Sequence, residues 1–299
     1  MKEGPDFLCV GMHKGGTRWL FDQLQHHADF WMPPLKELHY LERGDKKGKN
    51  ALQALEFALG QSQRRKKQSN TSREWDDRDI AFLREMASGH KKPLDLCAYG
   101  QMFRHKGALI SGDITPHYCD LEEDIVRLLR QEFPDLRIVL LVRDPIKRAW
   151  SHISQASRHG GFDEAVLNSP RAFAKLLRED KSLGKLSFPS RAAQRWGKHF
   201  ANRQFRYFFM EDIASRAAEV RREILEYLGA DPAKPSGDLP PDHNPKSKFR
   251  KLEMSDAIRS ELVSYFADEL RACASTFGGH ATAWLIEYGI DGATSAGAP

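Results

Sequence analysis

The sequence predicts an α/β fold, a single domain in which helices flank a central parallel sheet. Three observations predict it. The apolar run Phe7 to Gly11 (FLCVG) ends at glycine and passes into a helical pattern. Downstream, Ile138 to Val142 (IVLLV) is unbroken aliphatic sequence, the composition of a parallel strand covered by helices on both faces. Strand-like and helix-like patterns then alternate along the chain, as they do in parallel sheets. The domain is expected to span residues 1–290, with 291–299 a frayed tail rich in Gly, Ala and Ser.

Taken in order, Leu20, Leu24 and His27 share one face of a helix beginning near Thr17. Residues 44–106 read as a variable, partly solvated excursion. Its first part, Arg43 to Arg73, is rich in Lys, Gln, Gly and Asn, with one weak helix over Ala51 to Leu59. Ala108 to Ser111 reads as a short strand. Leu121, Ile125, Leu128, Leu129 and Phe133 have helical spacing, and Pro134-Asp135 stops that helix. After the aliphatic strand, Asp144 is placed to cap a helix with Pro145 at its first position. Phe205 to Met210 (FRYFFM) is a further strand, and helices fill Ala214 to Leu228 and Asp256 to Phe277.

A chain of 299 residues with 40% apolar and 29% charged residues can bury a substantial core, which excludes disorder over most of its length. Its net charge of +5 is too mild for a nucleic-acid binder on charge alone, but suits an enzyme with an anionic cofactor. Cys9, Cys97, Cys119 and Cys273 stand far apart with no C-x-x-C, so neither a zinc site nor a disulfide framework is indicated. Reduced cytoplasmic thiols are the reading. With no signal-peptide pattern and no window of membrane-spanning apolar length, a cytosolic protein is expected.

Between the first strand and the first helix lies Gly11-Met12-His13-Lys14-Gly15-Gly16-Thr17-Arg18-Trp19-Leu20. Two adjacent glycines let backbone approach a ligand closely, and a helix N-terminus offers free N–H groups. Lys14, Thr17 and Arg18 add charge and a hydroxyl, so the segment is suited to an anion. It is not a Walker A loop: that motif places lysine after the glycines, whereas Lys14 precedes Gly15 and Gly16.

This loop resembles the 5′-phosphosulfate loop of the 3′-phosphoadenosine-5′-phosphosulfate (PAPS)-dependent sulfotransferases. The form found in the bacterial and heparan-sulfate branch, Arg-Lys-Gly-Gly-Thr-Arg-x-Leu, is matched from His13 to Leu20 with His13 in place of the arginine. The resemblance implies a P-loop-like sulfotransferase fold. Lys14 would bind the bridging oxygen, and Gly15, Gly16, Thr17 and Arg18 would hold the 5′-phosphosulfate. Ile138 to Ser151 (IVLLVRDPIKRAWS) is similar to the family's 3′-phosphate segment, which implies that Arg143 and Ser151 bind that phosphate. An arginine at the end of a buried strand is also where ligands of α/β folds collect. Read alone, Arg143 could equally be a strand-end salt bridge and Ser151 a helix-surface hydroxyl.

Lys36-Glu37-Leu38-His39-Tyr40 looks like the Lys-Glu-x-His-Phe segment of the heparan-type enzymes, where glutamate is the proposed general base. That role carries to Glu37, with His39 the competing candidate because imidazole is better matched to neutral pH. Gly112 to Tyr118 (GDITPHY) resembles the family's Gly-Glu-Lys-Thr/Ser-Pro-x-Tyr, with Ile114 replacing the lysine. Lys246 to Arg250 (KSKFR) looks like a cofactor-capping Lys-Ser-Lys-Gly-Arg. There Lys248 would face the sulfonate and Arg250 the 3′-phosphate, although Phe249 departs from glycine. The resemblance is weakest over Lys46 to Lys106, where acceptor-binding elements are expected, and at Ser187 to Trp196, where adenine contacts are expected.

The resemblance thus implies in-line sulfuryl transfer, with lysines supplying the charge that Mg²⁺ gives to kinases and no metal required. Two rival readings remain at this stage. A P-loop phosphotransferase or NTPase predicts Gly-Lys-Ser/Thr and an acidic strand end, where this chain has Arg143. A non-catalytic anion binder would use the run Arg64, Arg65, Lys66 and Lys67 and would make no demand on Glu37. The acceptor is open among a carbohydrate hydroxyl or amine, a lipid head group and a small metabolite.

Overall fold

The computed structural model describes residues 3–42, 53, 75–88, 93–158, 160–162, 164–167, 169–179, 183, 186–201, 203–243 and 252–291. Strand β1 (Phe7–Cys9) leads to helix α1 (Thr17–Gln25), and helices α2 (Asp77–Ser88) and α3 (Leu96–Met102) follow. Next come β2 (Gly112–Ile114), α4 (Glu123–Glu132), β3 (Arg137–Val142) and α5 (Pro145–Ser157). After α6 (Glu164–Leu167), α7 (Pro170–Glu179) and α8 (Pro189–Gly197) come β4 (Phe205–Phe209), α9 (Met210–Ser215) and α10 (Ala217–Leu228). The last helices are α11 (Asp256–Phe277) and α12 (His280–Tyr288).

The strands form one all-parallel sheet in the order β2-β1-β3-β4. Phe7 lies opposite Gly112 on one side and Arg137 on the other. Successive side chains of a strand point to opposite faces, and both faces are apolar. Leu8, Ile138, Leu140 and Val142 enter a large core with α4, α5, α7, α8, α11 and α12. Phe7, Cys9, Val139 and Leu141 enter a second core with α1 and α10. The central strands therefore have no solvated face, which is why IVLLV carries no polar alternation.

The order places a switch point between β1 and β3: the chain leaves β1 toward β2 on one side and returns to β3 on the other. Loops diverge at such a point, and a crevice opens beyond the carboxyl ends of the strands. The β1–β3 ladder continues past the strand ends, with Met12 N donating to Leu141 O at 2.7 Å and Leu141 N to Gly11 O at 2.8 Å.

Several expectations shift. The strand expected over 108–111 lies instead at Gly112–Ile114, and Ile110 forms only an isolated bridge with Phe30. Ser111 is engaged by Asp6, whose amide donates to Ser111 O at 2.7 Å and whose carboxylate accepts from Ser111 N at 2.8 Å. The β1 ladder thus starts only at Phe7 and Gly112. His27 lies beyond the end of α1, with its Nε2 3.1 Å from Asp231 O. The helix expected over 214–228 is divided at Arg216, whose φ of −142° is not helical and whose side chain pairs with Asp212. The excursion before Arg73, including the weak helix and the Arg64–Lys67 run, lies outside the described residues apart from Gln53. The stretch after it belongs to the core, with Phe82, Leu83, Tyr99 and Phe103 fully buried.

Candidate active site

Lys14 stands at the mouth of the loop after β1 with a φ of 66°, in the left-handed region that side chains rarely adopt. Its Nζ donates to Gln155 Oε1 of α5 at 2.6 Å. Gly15 follows because nothing larger fits: a Cβ there would meet Leu141 O at 2.8 Å and Met12 O at 2.9 Å, both fixed backbone atoms. Gly16, at φ 103°, sets the entry to α1 and has no side chain with which to cap it. Among the described residues no side chain caps α1, and first-turn amides at the positive end of a helix dipole have the chemistry that suits an anion. Thr17 opens the helix and is buried, while Arg18 is paired along the helix surface with Asp22 at 2.8 Å.

Across the crevice, Asp144 caps α5 by accepting from the amides of Ile146 and Lys147, with Pro145 at the first position, as expected. Arg143 extends from the end of β3 and donates to the backbone carbonyl of Lys14. The half-buried Ser151 lies on α5 in the turn before Gln155. Lys14, Arg143 and Ser151 are thus gathered around the ends of β1 and β3.

Beneath the loop lies a fully buried arginine, Arg148. It donates to Ser187 Oγ at 2.6 Å, to Leu183 O at 3.3 Å and to His13 O at 3.4 Å. Its Nη2 faces Nδ1 of both His13, at 3.4 Å, and His152, at 3.3 Å. A guanidinium can only donate, so any hydrogen bond there runs from Nη2 to the rings. Burial first, then the charge of Arg148, pulls His13 down to about 2. A buried guanidinium surrounded by acceptors avoids the cost of an unpaired charge and fixes the loop from below.

The Lys36–Tyr40 segment is an irregular connection, not a helix start. Glu37 and His39 both take left-handed backbone, with φ of 67° and 53°, a conformation that clusters at functional sites. Glu37 pairs with Lys36, and its Oε2 lies 3.8 Å from His39 Nε2. The other ring nitrogen of His39 lies 2.6 Å from Glu42 Oε1. Burial raises the Glu37 carboxyl, but the hydrogen bond from His39 and the charge of Lys36 outweigh it, holding the group well below the usual carboxylate range. For His39 burial acts downward and is outweighed by the two carboxylates, which raise it to about 9.

The segment is anchored through Asp113. Its buried carboxylate accepts from Thr115 Oγ1 at 2.7 Å, Tyr118 OH at 2.7 Å and Tyr99 OH at 3.1 Å. Tyr118 OH in turn accepts from the amide of Leu41 at 3.3 Å. This network gives the GDITPHY sequence a structural meaning, and Ile114 is simply buried sheet core. His117 joins the two halves of the site, its ring 5.9 Å from that of His13 and 4.9 Å from that of His39.

Lys248 and Arg250 lie outside the described residues. Their flanks are docked on the site by two indoles: Trp19 of α1 donates to Pro241 O, and Trp150 of α5 donates to Leu252 O. A cavity of about 780 Å³ lined by Tyr40, Glu85, Leu94, Asp95, Met102 and Arg104, among others, includes none of Lys14, Glu37, His39 or Arg143.

Sequence reasoning missed Arg148, His152 and Gln155. Their signal was present, because positions 148, 152 and 155 follow the i, i+4, i+7 stripe of one helix face. His117 had none, since only the fold brings it beside His39.

A parallel sheet with an uncapped, lysine-bearing loop at its switch point and a strand-end arginine across the crevice gives an α/β protein whose crevice has the chemistry suited to an anion. The family model described as "Sulfotransferase family" matches residues 5–233, and the chain belongs to that family. A sulfotransferase from Alicyclobacillus acidocaldarius superposes with a TM-score of 0.64 at 19% identity, covering 94% of this chain and 98% of that one. A sulfotransferase domain from the curacin biosynthetic pathway gives a TM-score of 0.50 at 14% identity, over 89% of this chain and 99% of that one. No curated protein matches the sequence. Among the described residues no helix is long and apolar enough to cross a membrane.

Proposed function

We propose that this sulfotransferase takes its sulfuryl group from PAPS and passes it to a hydroxyl or amine acceptor. The observation that carries the reading is the meeting of Lys14 and Arg143 at the β1–β3 switch point. It sets two cationic groups beside an uncapped helix N-terminus, as a nucleotide with phosphates at both ends requires. When bound, the donor supplies a sulfuryl group that leaves its 5′-phosphate oxygen in line with the incoming acceptor atom.

The chain's own residues divide the remaining tasks. Gly15, Gly16, Thr17 and Arg18 form the loop and first turn that hold the 5′ end, and Arg143 with Ser151 holds the 3′-phosphate. Lys14 places positive charge where charge develops on the leaving phosphate, and Lys248 is assigned the same task, with Arg250 on the 3′-phosphate side. Pre-placed donors of this kind are typically worth roughly 2.7–4 kcal/mol each in the transition state. Glu37 removes the acceptor proton. Against burial, the carboxylates of Glu37 and Glu42 raise His39 to about 9, so at neutral pH the ring carries both protons and has no lone pair to offer, whereas Glu37 keeps carboxylate lone pairs. The unpaired cysteines suit the reducing cytoplasm.

Transfer of ³⁵S from labelled PAPS to a library of carbohydrate, lipid-head-group and small-metabolite acceptors tests the proposal. Incorporation by the wild type that Lys14→Ala lowers at least a hundredfold is expected. A rate equal in the two proteins contradicts it.

A further inference from the structure

Glu37, His39 and His117 each bring one metal-ligating atom to within 4.8 Å of the others. We propose that these three side chains form a binding site for a divalent ion of the zinc class, and that the ion, when bound, silences the enzyme. The silencing rests on the reading of Glu37 as the base; the binding does not.

The ligand set is two imidazoles and one carboxylate, which zinc accepts while keeping a fourth position open. Bonds of about 2.0–2.2 Å put neighbouring ligand atoms of a tetrahedral site roughly 3.3–3.6 Å apart. His39 Nε2 and Glu37 Oε2 already stand 3.8 Å apart, close to that spacing, and the atom of His117 lies within 4.8 Å of both, within reach of side-chain rotation. His39 also has the supporting partner that metal-bound histidines use: its Nδ1 lies 2.6 Å from Glu42 Oε1, which fixes the ring and directs Nε2 at the ion. Lys36 engages Glu37 through Oε1, leaving Oε2 toward the histidine, and Glu37 and Glu42 together outweigh its charge.

The three ligands come from two segments that share one anchor, the Tyr118–Asp113 pair. His117 lies in the 3₁₀ turn Pro116–Asp120, and that turn is tied to the sheet through Tyr118 and Asp113. Glu37 and His39 are held in left-handed backbone two residues apart. Nitrogen ligands favour zinc, cobalt, nickel and copper over magnesium and calcium. A histidine ligand must offer a lone pair, so binding of the ion through His39 Nε2 releases any proton on that nitrogen to water. It also occupies the carboxylate oxygen that would otherwise receive the acceptor's proton.

Titration of the full chain with Co²⁺, followed by visible absorption, tests the site without turnover. The wild type is expected to take up a single Co²⁺, displaced by Zn²⁺ and not by Mg²⁺. His117→Gln and His117→Ala should each weaken binding at least tenfold, and Glu42→Gln, which is not itself a ligand and acts through His39, by roughly ten- to a hundredfold, with thermal melting confirming that each is folded. In the transfer assay Zn²⁺ should inhibit the wild type and EDTA should reverse it, and for His117→Gln, measured against its own metal-free rate, half-inhibition should need at least tenfold more Zn²⁺. No Co²⁺ uptake by the wild type, or equal uptake by the folded His117 variants, overturns the site and leaves the Glu37 reading standing. Uptake that depends on His117 while Zn²⁺ leaves turnover untouched overturns the silencing and the assignment of Glu37 as base, but not the ion site.

Discussion

The guanidinium of Arg143 donates to the backbone carbonyl of Lys14, joining the end of β3 to the loop that follows β1. One side chain thus supports the 5′ loop while standing at the position assigned to the 3′-phosphate. Arg143→Ala should weaken binding of 3′-phosphoadenosine-5′-phosphate by roughly 1.5–3 kcal/mol, the worth of a charged hydrogen bond. Arg143→Lys should not restore it, because a single ammonium cannot reproduce the guanidinium fork. Calorimetric titration of both variants checks this, and an Arg143→Ala protein that binds like wild type would show the 3′-phosphate to be misplaced.

Lys14 is steered by Gln155 across the crevice at 2.6 Å. Gln155→Leu removes this acceptor of the ammonium. Turnover is expected to fall roughly tenfold, equivalent to about 1.4 kcal/mol in the transition state. Steady-state ³⁵S transfer measures it, and a change confined to KM would mean that Gln155 helps donor binding without aiming Lys14.

Gly15 and Gly197 provide a matched pair. A Cβ at Gly15 would collide with the carbonyls of Leu141 and Met12, whereas one at Gly197, at the end of α8, meets nothing within 4 Å. Gly15→Ala should therefore cost about 1–3 kcal/mol, the usual range for overpacking, and should lose donor affinity with it. Gly197→Ala should be neutral or stabilising by up to about 1 kcal/mol. Thermal melts of the two variants decide, and equal melting temperatures would sink the account of the loop.

Much of this site was legible in the sequence because its parts are local. FLCVG before a glycine loop, IVLLV before Arg-Asp-Pro, and Asp144 as cap each encode their own geometry within a few residues, and each is found as read. What was not legible depends on the topology. Arg143 could be placed at a strand end but not seen to hold Lys14, since that contact needs β1 beside β3. His117 meets His39 only because Asp113 and Tyr118 draw the Lys36–Leu41 segment against β2. The strand at Gly112–Ile114 was displaced in the reading because Ile110, the obvious aliphatic residue, bridges Phe30 instead. Arg18, read as a loop cation, is paired with Asp22, a contact that i, i+4 spacing could have suggested.

Glu37→Gln should abolish most transfer, by roughly 10²–10⁴-fold, the usual contribution of a general base. Donor affinity and melting temperature should stay near wild type, because glutamine keeps the size of the side chain and can still accept from Lys36. His39→Asn is the companion variant, since asparagine tolerates the left-handed backbone at that position better than most residues. A nearly active Glu37→Gln beside a dead His39→Asn would make the histidine the base.

The most direct test of the central claim is a calorimetric comparison of 3′-phosphoadenosine-5′-phosphate with ATP, each titrated into the wild-type chain without divalent metal. With Lys14 assigned to the 5′ end of the donor and Arg143 to its 3′-phosphate, the site calls for a ligand with phosphate at both positions. The account predicts binding of 3′-phosphoadenosine-5′-phosphate at least a hundredfold tighter than ATP, equivalent to about 2.7 kcal/mol. Equal affinities, or tighter binding of ATP that appears only with Mg²⁺, would contradict it.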